Sequence, residues 1–318
     1  MDTETEKIVR NRVAELLNED VEAFVVFVRK ETEPRERITV IKGPEEAEKV
    51  ALSPLSVNNT ARVLLEVVNN FDGKVGVVAK GCDSKAIKGL ISEGKIEREK
   101  IHIIGISCPG IVDYRKLIAF SPEDVIFEDG KLIIKPGDKE IPLEEVIHDN
   151  CRYCRSPSPV IYDEIYGKAR EPFDGTDDDE IEKLPADERW KYWIDVFEKC
   201  IRCYACRSAC PMCYCTECLV DPVNLAISPM STAEEKAAYP RFLGKTVTPA
   251  DNLFYHLIRV FHHAGRCADC GECERACPMD IPLRKLERKL QKEIKEIFGY
   301  EDEDIPFLAK LDIIPEGR

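Results

Sequence analysis

Two cysteine runs constrain this chain more than any other feature. Cys200, Cys203, Cys206 and Cys210, followed by Pro211, repeat the spacing of Cys267, Cys270, Cys273 and Cys277, followed by Pro278. Three thiolates two residues apart can hold three corners of one iron–sulfur cubane. The fourth, three residues on and followed by proline, points toward a companion cluster. The spacing therefore assigns one 4Fe–4S cluster to Cys200, Cys203, Cys206 and Cys277, and a second to Cys267, Cys270, Cys273 and Cys210. Structural zinc is the alternative, but zinc takes four ligands in paired two-cysteine knuckles. The 57 positions from Cys210 to Cys267 are too many for a compact hairpin, so helices are expected to fill them.

Seven further cysteines bring the total to 15, an odd number that cannot all pair as disulfides. Cys213, Cys215 and Cys218 crowd behind the first run. They read either as ligands of a third cluster in that region, with a borrowed fourth ligand, or as small apolar side chains lining a pocket. Arg202, Arg207, Arg266 and Arg275 stand beside the ligands, where positive charge and hydrogen bonding raise a reduction potential, unless they are solvated surface groups. With a complete cysteine set at hand, His256, His262 and His263 read as structural or surface residues.

The first 165 residues have a different character: short β-branched runs alternate with helical periodicity, the pattern of an α/β domain. Strands are expected at Val21–Val28, Ile38–Ile41, Lys74–Ala79 and Ile101–Ser107, and helices at Asn59–Phe71 and Ser84–Gly94. Phe127–Lys135, turning at Asp129-Gly130, reads as a hairpin. Cys82 and Cys108 follow two of these strands, where open α/β sheets bind ligands. With Cys151 and Cys154 they form a candidate four-cysteine site, for a third 4Fe–4S cluster or for zinc.

The fold class is thus an α/β N-terminal domain followed by a mainly α-helical two-cluster domain. Boundaries are expected at 1–167, an acidic linker at 168–189, a cluster domain at 190–298 and a tail at 299–318. Asp174 to Glu182 holds six acidic and no basic residues, which reads as solvated linker. A helix capped by Asp251 is expected to run through His263, ended by Gly265, and a long amphipathic one between Pro282 and Gly299, with Leu283, Leu286, Leu290, Ile294 and Ile297 as its apolar stripe. The net charge of −14 argues against nucleic acid or anionic lipid as partner. The absence of any run of about 18 apolar residues argues against membrane insertion. A cytoplasmic location with reduced thiols is the expectation.

The second half resembles the α-helical ferredoxin domain of heterodisulfide reductase and succinate dehydrogenase iron–sulfur subunits. The first half resembles the beta-subunit family of deazaflavin-reducing hydrogenases and formate dehydrogenases. Its matching segments are Ser56–Arg62, Lys74–Ala86 with Cys82, Ile101–Gly110 with Cys108, and Cys151-Arg152-Tyr153-Cys154 with Pro157 and Pro159. Gly81 stands where many of that family have proline. The resemblance implies an oxidoreductase subunit with an iron–sulfur cluster and FAD, Asn58, Asn59, Lys80 and Ser84 being flavin-pocket candidates. It also implies a soluble nicotinamide or deazaflavin coenzyme, and a catalytic partner of hydrogenase, formate dehydrogenase or heterodisulfide reductase type. The function expected is relay of single electrons. The alternative is a flavin-free wiring and docking module, its N-terminal site filled by zinc or a structural cluster.

Overall fold

Strand β1 (Val21–Arg29) shows what the N-terminal half is built around: seven of its nine residues are buried, sparing Glu22 and Arg29. A strand covered on both faces reads as a near-continuous apolar run, as in parallel sheets flanked by helices. The computed structural model describes residues 3–29, 35–128, 131–135, 137–168, 170–174, 180–215, 218, 232, 234 and 248–299. The chain divides into two compact units, one of residues 1–176 with 268–270, the other of residues 177–267 with 271–318.

In the first unit β1 lies between β2 (Glu36–Ile41), antiparallel to it, and β3 (Lys74–Ala79), parallel to it. Strands β4 (Ile101–Ile106) and β8 (Glu164–Tyr166) continue the sheet in parallel, giving the order β2-β1-β3-β4-β8. A second antiparallel sheet holds β5 (Asp124–Glu128), β6 (Lys131–Lys135) and β7 (Lys139–Pro142). β5 and β6 are the expected hairpin, with Phe127 opposite Leu132; its Asp129-Gly130 turn lies outside the described residues. The helices are α1 (Thr3–Asn18), α2 (Thr60–Val67), α3 (Gly81–Ser92), α4 (Tyr114–Ile118), α5 (Leu143–Val146) and α6 (Asp149–Arg152).

Helix α1 did not emerge from the sequence, yet its Val9, Val13 and Leu16 pack into the core with Phe24 and Val26. Asn59 is the cap of α2 rather than its first residue, its side chain accepting from Ala61 N at 3.0 Å. Helix α3 begins three residues earlier than expected. The Asp83 carboxylate accepts from Lys80 N at 2.9 Å, which carries the start back across Gly81 and Cys82.

The second unit is helical among the described residues: α7 (Ala186–Glu198), α8 (Ala205–Ala209), α9 (Pro249–His262), α10 (Glu272–Arg275) and α11 (Leu283–Phe298). Its core joins Phe197, Leu253, Val260, Leu283 and Leu286 with Cys206 and Cys277. Thr248, not Asp251, caps α9, its hydroxyl accepting from Asp251 N at 3.2 Å. Helix α11 ends on Gly299, at φ 62°, as its flanking signals require. Its expected apolar stripe stops at Ile294, since Ile297 is 71% exposed. Of the acidic stretch, residues 175–179 lie outside the described residues. Glu182, read as solvated linker, instead pairs with Arg189 and Lys289. No helix among the described residues is long and apolar enough to cross a membrane.

Candidate metal centres

The two cysteine runs of the sequence carry the same backbone signature. Arg202 and Tyr204 have φ of 49° and 62°, and their counterparts Asp269 and Gly271 have 51° and 73°. Left-handed residues on either side of the middle cysteine turn the chain so that successive sulfurs can face one point. Tyr204 then starts α8 and Gly271 starts α10. The duplication extends through Cys210-Pro211-Met212-Cys213 and Cys277-Pro278-Met279-Asp280, where Cys213 N bonds Cys210 O (3.2 Å) and Asp280 N bonds Cys277 O (3.5 Å). Cys213 therefore occupies the position that Asp280 holds in the other copy.

Cys200, Cys206 and Cys277 share one apolar core, and Cys203 is a charge neighbour of Cys200. Burial pushes the Cys200 thiol up; Arg202 N, donating to its Sγ at 3.3 Å, opposes this, and Cys277 and Cys203 add to the rise. Burial also raises Cys206, against the Arg259 charge, with Cys200 and Cys277 among its neighbours. Of the second run, Cys270 is buried, and Cys267 and Cys273 are half-buried.

Cys210 lies in a group the spacing alone does not indicate. The ligand atoms of Cys210, Cys213 and His263 all fall within 4.8 Å of one another, a candidate three-ligand metal site. His263 Nε2 is 3.0 Å from Cys213 Sγ and 4.0 Å from Cys210 Sγ, while its Nδ1 is 2.7 Å from Glu287 Oε1. A carboxylate on one ring nitrogen fixes the imidazole and leaves the other nitrogen facing the sulfurs, the usual support of a metal-ligating histidine. A hydrogen bond with Cys210, and then His263 and Arg259, bring the Cys213 thiol down to about 2 against burial. Burial lowers His263, but Glu287 and Cys213 outweigh it and raise the ring to about 9. The two shifts favour thiolate beside imidazolium, and a metal ion entering there would displace the imidazolium proton.

Helix α9 supplies the donors. His256, Arg259 and His263, spaced three and four apart, share its buried face. His256 Nε2 is 3.2 Å from Cys200 Sγ, and its ring stacks on Phe197 with centroids 4.6 Å apart. Arg259 Nη1 donates to Cys206 Sγ at 3.2 Å, and Nη2 to Cys206 O at 3.4 Å and Cys213 Sγ at 3.7 Å. His256 and His263, read from sequence as structural or surface residues, therefore face ligand sulfurs, and Arg259 was not singled out at all. Their spacing on a helix ending just before Cys267 was the available signal. Among the arginines that were, Arg207 bonds Cys215 O and Arg202 bonds Asn252 Oδ1. Cys215 is exposed, and Cys218 packs on Tyr255.

In the first unit, Cys82 follows β3 and Cys108 follows β4, so two parallel strands deliver them to the same sheet edge. Cys151 lies in α6 and Cys154 just beyond it, Cys154 N bonding Cys151 O at 3.3 Å. Cys108 N bonds Pro157 O at 2.9 Å, and its Sγ accepts from Gly110 N at 3.4 Å. Burial pushes the Cys108 thiol up to about 12, with Cys151 and Cys154 adding to the rise. Burial, then Asp83, raises Cys82 well above the ordinary thiol range, and Cys108 contributes. Cys108 is thus a charge neighbour of the other three cysteines, and α3 packs tightly against the loop beyond Cys154: a Cβ at Gly81 would stand 1.9 Å from Ser156 O.

The flavin-pocket candidates surround the same loop. Lys80 is buried, its Nζ 2.9 Å from Asn58 O, 3.0 Å from Asp83 Oδ2 and 4.1 Å above the Phe27 ring. The Ser84 hydroxyl donates to Gly81 O and accepts from Val160 N, both at 2.9 Å. Asn59 caps α2 and reaches Cys82 O at 3.4 Å; Asn58 is exposed. The side chains of Asn59, Lys80 and Ser84 are committed to holding the Cys82 loop, which does not fit a phosphate or isoalloxazine cradle.

Fold and sites together define a two-unit chain with cysteine groups in each unit, one of which, Cys210 and Cys213 with His263, has the geometry to hold a metal ion. The chain is 29% identical to the F420-dependent formate dehydrogenase subunit beta of Methanocaldococcus jannaschii, over 72% of this chain and 73% of that protein. It is 25% identical to the F420-dependent formate dehydrogenase 1 subunit beta of Methanococcus maripaludis, over 75% and 76% respectively. A chain of the F420-reducing [NiFe] hydrogenase complex from Methanosarcina barkeri superposes with a TM-score of 0.38 at 18% identity, covering 49% of this chain and 63% of that one. No family model matches the sequence.

Proposed function

We propose that this chain is an electron-transfer subunit of an oxidoreductase complex, relaying single electrons to a catalytic partner through three 4Fe–4S centres. The ligand sets are Cys200, Cys203, Cys206 and Cys277; Cys267, Cys270, Cys273 and Cys210; and Cys82, Cys108, Cys151 and Cys154. The observation that carries this reading is the meeting of Cys200, Cys206 and Cys277 in one apolar core, with side-chain donors on the sulfurs. Such centres supply one-electron redox chemistry. The chain's residues hold the thiolates, exclude water with Phe197, Leu253 and Leu286, and place N–H groups on the sulfurs. Similarity to formate dehydrogenase beta subunits supports a catalytic partner of formate dehydrogenase, hydrogenase or heterodisulfide reductase type, fed from a soluble deazaflavin or nicotinamide coenzyme. No step is routed through a flavin: the side chains of Asn59, Lys80 and Ser84 are taken up around the Cys82 loop, and Asn58 is exposed.

Metal and flavin analysis of the anaerobically purified chain tests the proposal. About twelve irons per chain are expected, falling by about four in Cys82→Ala. About eight irons with one zinc would give the docking-module alternative, and fewer than about eight would sink the two-cluster assignment.

A further inference from the structure

Arg259 is 4% exposed, and among the described residues its bonds run to sulfur and backbone oxygen and not to a carboxylate. A buried guanidinium needs an anionic partner, and the thiolates it touches supply that countercharge among the described residues. One turn earlier, His256 is 1% exposed and stands 3.2 Å from Cys200 Sγ. A thiolate bound to metal can only accept, which places the hydrogen on Nε2. Nδ1 is then a buried lone pair, with no hydrogen-bond partner among the described residues. Stacking on Phe197, at an interplanar angle of 13°, fixes the ring in this orientation. Two residues on one face of one helix therefore address two sulfurs of the same ligand set.

Resting on the cluster reading above, we infer that His256 and Arg259 set the reduction potential of the centre held by Cys200, Cys203, Cys206 and Cys277, acting through its sulfurs. Reduction adds one electron to an already anionic centre. A fixed positive charge and an N–H···S bond stabilise the more negative state more than the less negative one. The low dielectric of this buried helix face strengthens both effects. Removing either group should therefore lower the midpoint of this one couple.

The experiment is a potentiometric titration of the anaerobically purified full chain, followed by electron paramagnetic resonance, with iron counted in the same samples. Arg259→Gln and His256→Phe should each move the same couple to lower potential, and His256→Phe should leave the others in place. Arg259→Lys, which keeps the charge, should move it less than Arg259→Gln. His256→Phe keeps the stacking on Phe197, so it carries the test even where the arginine variants fold poorly. Unmoved couples at full iron content would overturn the inference, as would loss of about four irons in both His256→Phe and Arg259→Lys, which would make these residues structural. A wild-type chain without iron would refute the cluster reading itself, a different result.

Discussion

Gly81→Ala is the sharpest test of how the first unit builds its cysteine site. Gly81 opens α3 at a backbone conformation any residue can adopt, so alanine brings no backbone strain there. By helix propensity alone it would stabilise by roughly 0.5–1 kcal/mol. Packing reverses the sign. The added Cβ would lie 1.9 Å from Ser156 O and 2.7 Å from Ser158 O, both backbone atoms that no rotamer change can move aside. Restoring ordinary contact at about 3.4 Å requires a shift of about 1.5 Å between α3 and the loop following Cys154. Overpacking of this kind costs about 1–3 kcal/mol, which for a unit of this size lowers Tm by roughly 2–10 °C. The consequence for ligation is larger, because Cys82 rides on α3 while Cys154 leads into the displaced loop. Metal–ligand distances tolerate only about 0.2 Å. On the proposed function, Gly81→Ala should therefore lose the iron of the N-terminal site, about four per chain, together with the fall in Tm. A variant with wild-type Tm and full iron content would refute this account of the Gly81–Ser156 contact.

Two further outcomes are expected. Glu287→Gln removes the carboxylate that fixes His263 and, on the metal-centre reading, should weaken retention of metal bound through Cys210 by roughly 10–100-fold, read as release to a graded chelator from the full chain. Burial raises Asp163, but Arg98 at 2.6 Å and Ile103 N at 2.7 Å outweigh it and hold its carboxyl below the ordinary range. Its contribution to stability is therefore complete above the unfolded value of about 3.9 and lost as pH falls through the folded value. The stability gap between the wild type and Asp163→Asn, measured by urea unfolding, should accordingly narrow from pH 6 toward pH 3.

The sheet was legible because β-branched runs mark buried parallel strands: Lys74–Ala79 is found as read, and β1 runs one residue longer. Helix α1 was missed because its opening Thr-Glu-Thr-Glu is polar, although Val9, Val13 and Leu16 lie at helical spacing behind it. The short β7 and β8 carry too few residues to show a period, and their existence depends on the partners they pair with. At the sites, thiol spacing announces ligands because metal geometry constrains it locally. The donors do not announce themselves in this way. Whether His256, Arg259 and His263 face sulfur or water is decided by which side of α9 packs on α7, a tertiary choice absent from local sequence.

The left-handed residues of the two cysteine turns bear on how the chain matures. Arg202, Tyr204, Asp269 and Asp280 are not glycines, and each holds a backbone conformation that costs about 1–2 kcal/mol. Together these costs are a large share of what a small domain has in hand, and on the proposed function bound metal offsets them. Segments 200–213 and 267–280 would then be the last to settle in a newly made chain and the first to open to protease. Iron supply would then govern how readily these two segments open.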